Sequence, residues 1–258
     1  MDNGAVHERM VEGHPHVLLV SVDRPPVNAL TLDMHTRMYQ IFESLRERPE
    51  VRCVVLTGEP QRAFIAGADT KGLAARTPQT IVERNNRSRR NYEAIRNSPV
   101  PVIAAVNGAA LGAGFVIAAA CDFIIASEKA RFAIPEIDVG AMGGSRHARR
   151  ILPPMMMRYL VMTAERVDGH FMKEHGAALD VTPPEKLLDT AFALADKLAA
   201  KSPALMRMRK ESMSLVEELP FAEGYRVEQL YTALAVAHPD GQEASRSIAE
   251  KRPPKWAE

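Results

Sequence analysis

Short apolar runs alternate with amphipathic stretches along most of the chain. Residues 17–22 (VLLVSV), 51–57 (VRCVVLT), 102–106 (VIAAV) and 123–126 (FIIA) are uncharged or nearly so and bounded by turn residues, which predicts buried strands. A shorter strand is predicted over 131–134 (RFAI), closed by Pro135. Met34, Met38, Ile41 and Leu45 recur at helical spacing and predict a core-facing helix over 31–48. Further helices are predicted over about 79–97, from Gly112 through the small-residue stretch behind it, from a Ser145 cap to Pro153-Pro154, and over 155–163. The remainder reads as amphipathic helices over 185–200, 203–215 and 221–237. Strand, strand, helix is the recurring unit, so the fold class is α/β.

Two turns in this pattern carry candidate chemistry. After the strand at 102–106, Gly112-Ala113-Gly114 opens a helix with no side chain larger than a methyl, so a ligand can approach the unpaired N–H groups of the first turn. Those amides, with the helix dipole behind them, favour an oxygen that gains negative charge. The same arrangement occurs once before, where a turn-rich segment containing Ala63–Asp69 follows the strand at 51–57. Two such turns can each supply one N–H to a single oxyanion; the competing reading is that Gly/Ala turns serve backbone packing alone.

Composition narrows the partners. A chain of 258 residues with 46% hydrophobic content is ample for one large core, with or without a small appendage. Lys and Arg number 33 against 32 acidic residues, a net charge of +1, so no global field recruits nucleic acid or an anionic membrane. Arg84, Arg87, Arg89 and Arg90 form a basic run that reads as a solvated helix face, and no aromatic stripe interleaves the basic residues. The two cysteines, Cys53 and Cys121, sit in apolar patterns and read as core thiols of a reducing compartment. The N-terminal segment has no apolar core of a signal peptide, and no stretch approaches the length of a membrane span, so a cytoplasmic protein is expected. No metal-ligand cluster and no dinucleotide fingerprint stands out.

Three ordered blocks are more specific: AFIAGADTKGL (63–73), PVIAAVNGAALGAGFVIAAACDFIIAS (101–127) and FAIPEIDVG (132–140). In sequence, order and spacing they resemble the signature blocks of the crotonase superfamily, the enoyl-CoA hydratase/isomerase family. The likeness runs from about Arg24 to the terminal KRPPKW. The resemblance implies a crotonase-like spiral of ββα units over 1–195 and a C-terminal helical trimerisation region over 196–258. It implies an acyl-CoA substrate whose thioester enolate is stabilised by two backbone amides, those of Ala68 and Ala113, and a homotrimer or dimer of trimers. Arg24, Ala63, Phe64, Ala66, Ala68, Asp69, Thr70, Lys71, Gly112 and Ala113 are the implied CoA-thioester contacts. CoA is then the substrate's carrier and no other cofactor is called for. The region of the arginine run would shape the acyl pocket, and the tail at 251–256 would lie near a neighbouring subunit's CoA or else fray as a basic terminus.

One departure bears on the reaction. Hydratases of the family carry a glutamate three residues after the second oxyanion donor, where this chain has Val116, while the other acid is present as Glu136. Hydration across a double bond draws on two carboxylates; carrying a proton between two carbons needs one. Isomerisation of a 3-enoyl-CoA to a 2-enoyl-CoA is therefore expected ahead of hydration with Asp138 or His147 as the second group. A non-catalytic acyl-CoA-binding relative is the reading from a different class. Apolar Phe132, Ile134 and Ile137 around Glu136 predict a desolvated general base with a raised pKa, against the alternative of a strand-end carboxylate in water. In an extended stretch Asp138 would share the face of Glu136, or would pair with an arginine; His147 would act as a proton carrier or sit at a surface.

Overall fold

Each repeat sends its two strands to different sheets. The protein, described here from a computed structural model covering residues 4–59, 63–69 and 77–257, has a six-stranded sheet and a four-stranded sheet. β1 (Ala5–Val11) and β2 (His14–Asp23) form an antiparallel hairpin, and β2 continues through β3 (Cys53–Glu59), β5 (Val102–Val106), β7 (Phe123–Ser127) and β10 (Asp180–Thr182), all parallel. The smaller sheet runs β4 (Ala63–Ala66), β6 (Ala109–Leu111), β8 (Arg131–Ala133) and β9 (Val167–Asp168). β3 is thus followed in the other sheet by β4, β5 by β6 and β7 by β8, and a helix or helical turn comes after the second strand of each pair. This is the expected ββα spiral.

Sheet burial explains why the strands read as unbroken apolar runs. Val17, Leu19, Cys53, Val55, Ile103 and Ala105 face one way, onto Leu187, Ala191 and Ala195 of α7 (Leu187–Ala199). Their alternates Leu18, Val20, Val54, Leu56, Val102 and Ala104 face the larger core, with Met38, Ile41 and Phe42 of α1 (Leu32–Ser44) and Phe115 and Ile117 of α3 (Ala113–Ala120). A parallel sheet covered on both faces has no solvent side on which to place polar residues. Cys53 and Cys121 are free and buried, and burial pushes both thiols up to about 12.

The helix expected over 79–97 is α2 (Pro78–Arg96), started by a Thr77/Thr80 capping box. α4 (Ser145–Ile151) differs from expectation at its start: Gly144, at φ 78°, is the N-cap, and no side chain caps it. The helices α5 (Pro154–Thr163), α6 (Gly169–Glu174), α8 (Pro203–Val216), α9 (Phe221–Ala237) and α10 (Pro239–Ala249) complete the chain. The AFIA segment, read from sequence as part of a turn, is the strand β4, and β1, β6, β9, β10, α6 and α10 were not anticipated. All of these but β1 and α10 are six residues or shorter, too short for their own pattern to show a period. The 195/196 division falls inside α7, which packs on the six-stranded sheet; the chain leaves that sheet only after Ala199.

Two polar links, the first of them buried and the second partly exposed, fix the C-terminal helices. Lys210 Nζ on α8 donates to Val100 O (2.9 Å) and Asp122 Oδ2 (2.6 Å), and Asp122 Oδ2 also accepts from Val102 N at 2.7 Å. Arg96, Arg146 and Arg150 converge on Glu217 and Glu218 at the end of α8. The basic-aromatic tail is neither frayed nor free: Trp256 Nε1 donates to Ala200 O (2.9 Å) and the Ala257 amide to Asp240 Oδ1 (2.8 Å).

Candidate active site

The site is assembled by strand register. In the four-stranded sheet Ala66 of β4 is paired with Leu111 of β6, and Leu111 with Ala133 of β8, all three strands running parallel. Two residues beyond these partners stand Ala68 and Ala113, and three beyond Ala133 stands Glu136. Three groups distant in sequence therefore leave the carboxyl edge of one sheet side by side, the place where open α/β sheets hold ligands.

Close backbone approach tightens the arrangement. A Cβ on Gly114 would lie 1.9 Å from Ile65 O, so the first turn of α3 rests directly on β4. Gly67 (φ 89°) and Gly112 (φ 51°) adopt conformations that side-chain-bearing residues rarely hold, and each turns the chain just before an alanine donor. Ala113 itself is outside the positive-φ region, as its methyl requires. No described group accepts a hydrogen bond from the Ala68 or Ala113 N–H; in Ala113 this follows from its place as the first residue of α3.

Glu136 completes the edge. A Cβ on Gly112 would sit 2.8 Å from Glu136 Oε1, so the carboxyl group lies over the turn that presents Ala113. Its Oε2 is buried with no hydrogen-bond partner among the described residues. Desolvation raises its pKa above the usual carboxylate range, opposed in part by a backbone hydrogen bond. An acid kept short of partners and lifted toward neutrality is equipped to exchange a proton. Val116, one turn into α3, is buried and apolar.

The second-group candidates fare differently. Pro135–Val139 is a 3₁₀ turn and not the expected extended stretch, so Asp138 does not share the face of Glu136 and is exposed. No arginine partner of Asp138 is present among the described residues. His147, on α4, is half-buried and meets Tyr92 edge-on at 5.5 Å between ring centroids. Burial lowers its pKa, with Arg146, Arg150 and Arg96 adding to the effect, so the ring is neutral at pH 7.

Of the expected CoA contacts, Phe64 and Ala63 are core residues of β4, and Asn28 Nδ2 donates to Ala63 O at 2.9 Å. Ala66 donates its amide to Val27 O at 3.0 Å, which ties β4 to the segment after β2. Arg24 donates to Ala29 O (2.7 Å) and Asp69 Oδ2 (2.8 Å), so its guanidinium braces the turn containing Ala68. Thr70 and Lys71 lie outside the described residues.

Two residues near the site were missed. Arg84, grouped from sequence with a solvated run, is the partly buried member of it and hydrogen-bonds Asp69 O; Arg87, Arg89 and Arg90 are exposed. Tyr92, also on α2, lies between His147 and His35. Burial pushes its phenol up, a Ser88 hydrogen bond opposes this, and the charge of Glu136 adds to it. The signal was the helical spacing 84, 88, 92, 95, which puts Arg84 and Tyr92 on the inward face with Ile95. His35 behind them is buried, hydrogen-bonded to Asn91 Nδ2, and held neutral by burial at about 4.

Two amides with no acceptor among the described residues, brought to one sheet edge beside a desolvated carboxyl, define a spiral α/β protein suited to stabilising an oxyanion while moving a proton. Comparison with known proteins gives the family. The enoyl-CoA hydratase/isomerase family model matches residues 12–258, and the chain belongs to that family. It is 35% identical to a Rhodococcus jostii (7aS)-7a-methyl-1,5-dioxo-2,3,5,6,7,7a-hexahydro-1H-indene-carboxyl-CoA hydrolase, with 84% of each chain covered. It is 33% identical to a carnitinyl-CoA dehydratase of Citrobacter koseri, over 94% of this chain and 95% of the relative. An enoyl-CoA hydratase structure from Bacillus anthracis superposes with a TM-score of 0.90 at 30% identity, covering 99% of both chains. The protein is an acyl-CoA enzyme of the crotonase type.

Proposed function

We propose that the chain isomerises a 3-enoyl-CoA to a 2-enoyl-CoA through a thioester enolate. Glu136 removes a proton from the α-carbon, the electron pair moves onto the thioester oxygen between the Ala68 and Ala113 amides, and the same proton is returned at the γ-carbon as the double bond shifts. The observation carrying this reading is the shared register of β4, β6 and β8, which places both amides and the lone carboxyl at one sheet edge. Each oxyanion donor of this kind supplies about 2.7–4 kcal/mol to the transition state. Val116 supports proton transfer over hydration, because it leaves no second carboxylate in the first turns of α3.

Steady-state assays on matched 3-enoyl- and 2-enoyl-CoA thioesters test this. Isomerisation is expected to exceed hydration; hydration of the 2-enoyl-CoA far above isomerisation would reverse the order and turn attention to His147. Catalytic silence with intact thioester binding would mark a binding protein. A hydrolytic reading has one support, the 35% identical Rhodococcus hydrolase, and free CoA release in the same assays measures it.

CoA serves as the substrate's carrier, with Arg24 and the 63–69 segment on its path, and no further cofactor takes part. Phe221, Tyr225, Leu230, Leu234 and Val236 of α9 expose apolar surface, Phe221 to 91%, and this supports a homotrimer or dimer of trimers packed through the C-terminal helices. Sedimentation equilibrium measures the assembly. The free buried thiols suit work in the cytoplasm.

A further inference from the structure

We propose that Arg84 is a positioning residue for the first oxyanion donor, holding the backbone carbonyl of Asp69, the residue after Ala68, while Arg24 holds the Asp69 side chain. The proposal rests on the enolate reading above. Ala68 forms an isolated parallel bridge with Leu30: Leu30 N donates to Gly67 O (2.9 Å) and Asp69 N to Leu30 O (2.8 Å). Those two bonds hold the residues on either side of Ala68 and leave its own N–H turned away from Leu30, toward the sheet edge. Arg84 Nη2 donates to the Asp69 carbonyl at 2.8 Å. Arg24 Nη2 holds the Asp69 carboxylate, also at 2.8 Å.

Arg84 reaches this point from a firm base. It stands in the second turn of α2, whose start is fixed by the Thr77/Thr80 capping box and whose inward face buries Asn91, Ala94 and Ile95. The hydrogen bond joins groups 15 residues apart in the chain. A planar guanidinium fixes the direction of the carbonyl it bonds better than a flexible ammonium does. A small misplacement of a catalytic donor is costly because the donor must meet charge where it develops.

Acetoacetyl-CoA and butyryl-CoA are the probes. The first forms an ultraviolet-absorbing enolate with charge on the thioester oxygen; the second is a neutral saturated thioester. In Arg84→Met, acetoacetyl-CoA is expected to bind about tenfold more weakly with a smaller bound enolate band, while butyryl-CoA affinity stays within about twofold. Arg84→Lys should recover part of the loss. kcat on the 3-enoyl-CoA should fall by about the same factor with KM little changed. Equal weakening of both ligands, no weakening of either, or loss of melting temperature that accounts for the effect would overturn the proposal. A wild-type protein that generates no bound enolate from acetoacetyl-CoA, while binding both thioesters alike, would instead remove the enolate reading and the role of Arg84 with it.

Discussion

Two carboxylates flank α3, and their surroundings are opposite. Asp122, just past the C-terminal end of the helix, shares Oδ2 between the Lys210 ammonium at 2.6 Å and the Val102 amide at 2.7 Å. Glu136, over the N-terminal turn, has one oxygen buried with no partner among the described residues and its pKa raised by desolvation. A satisfied carboxylate ties a helix to a sheet; an under-satisfied one is costly to the fold and ready to react. The contrast separates what holds this protein together from what it does.

The comparison breaks most sharply at Glu136. Glu136→Gln should lower turnover of a 3-enoyl-CoA by about 10²–10⁴-fold, the usual worth of a positioned acid–base group, and should leave thioester binding intact. Asp122→Asn should retain turnover per folded molecule. Full turnover in Glu136→Gln would end the mechanism. On stability the order reverses: Lys210→Met breaks a buried pair and should cost about 3–5 kcal/mol in urea unfolding. Replacing both partners, Lys210→Met with Asp122→Leu, should recover part of that loss; no recovery would show that the hydrogen bonds to Val100 and Val102 dominate.

Gly112→Ala comes next in size. It forces a methyl onto Glu136 Oε1 and into a backbone at φ 51°, so about 1–3 kcal/mol of strain is expected, with kcat falling more than melting temperature. Next, kcat/KM should rise with pH through a value above the ordinary glutamate pKa of about 4.3, because the base must be ionised and burial raises its pKa. A limb at or below that value would argue that Glu136 is solvated.

The smallest effect is a gain. Because the folded pKa is the higher one, the folded state retains a proton that the unfolded chain has lost, and stability falls as pH rises from the unfolded to the folded value. Glu136→Gln removes that cost, so it should melt higher than the parent at pH 7, with the advantage disappearing as pH falls below the ordinary glutamate range of about 4.3. An equal gain at both pH values would point to packing instead.

Much of this was legible because periodicity and turn chemistry are local. The runs at 17–22, 51–57, 102–106 and 123–126 appear as β2, β3, β5 and β7, and Met34, Met38 and Ile41 lie on the buried face of α1. β4 escaped notice because four residues among turn formers carry no period, and pairing with β6 makes them a strand. The placing of Asp138 failed for a related reason: a Pro-led 3₁₀ turn and an extended segment look alike over three residues, yet they aim side chains differently.

The sequence by itself determined the buried strands, the small-residue turns able to expose backbone amides, and the presence of one acid where a pair is expected. Only the tertiary structure decided that β4, β6 and β8 lie side by side, that Gly114 lets α3 settle onto β4, and that Glu136 loses its partners over Gly112. It also turned Arg84 away from its exposed neighbours and onto Asp69. Local conformation follows from neighbours in the chain, whereas desolvation and convergence depend on which distant groups arrive at the same place.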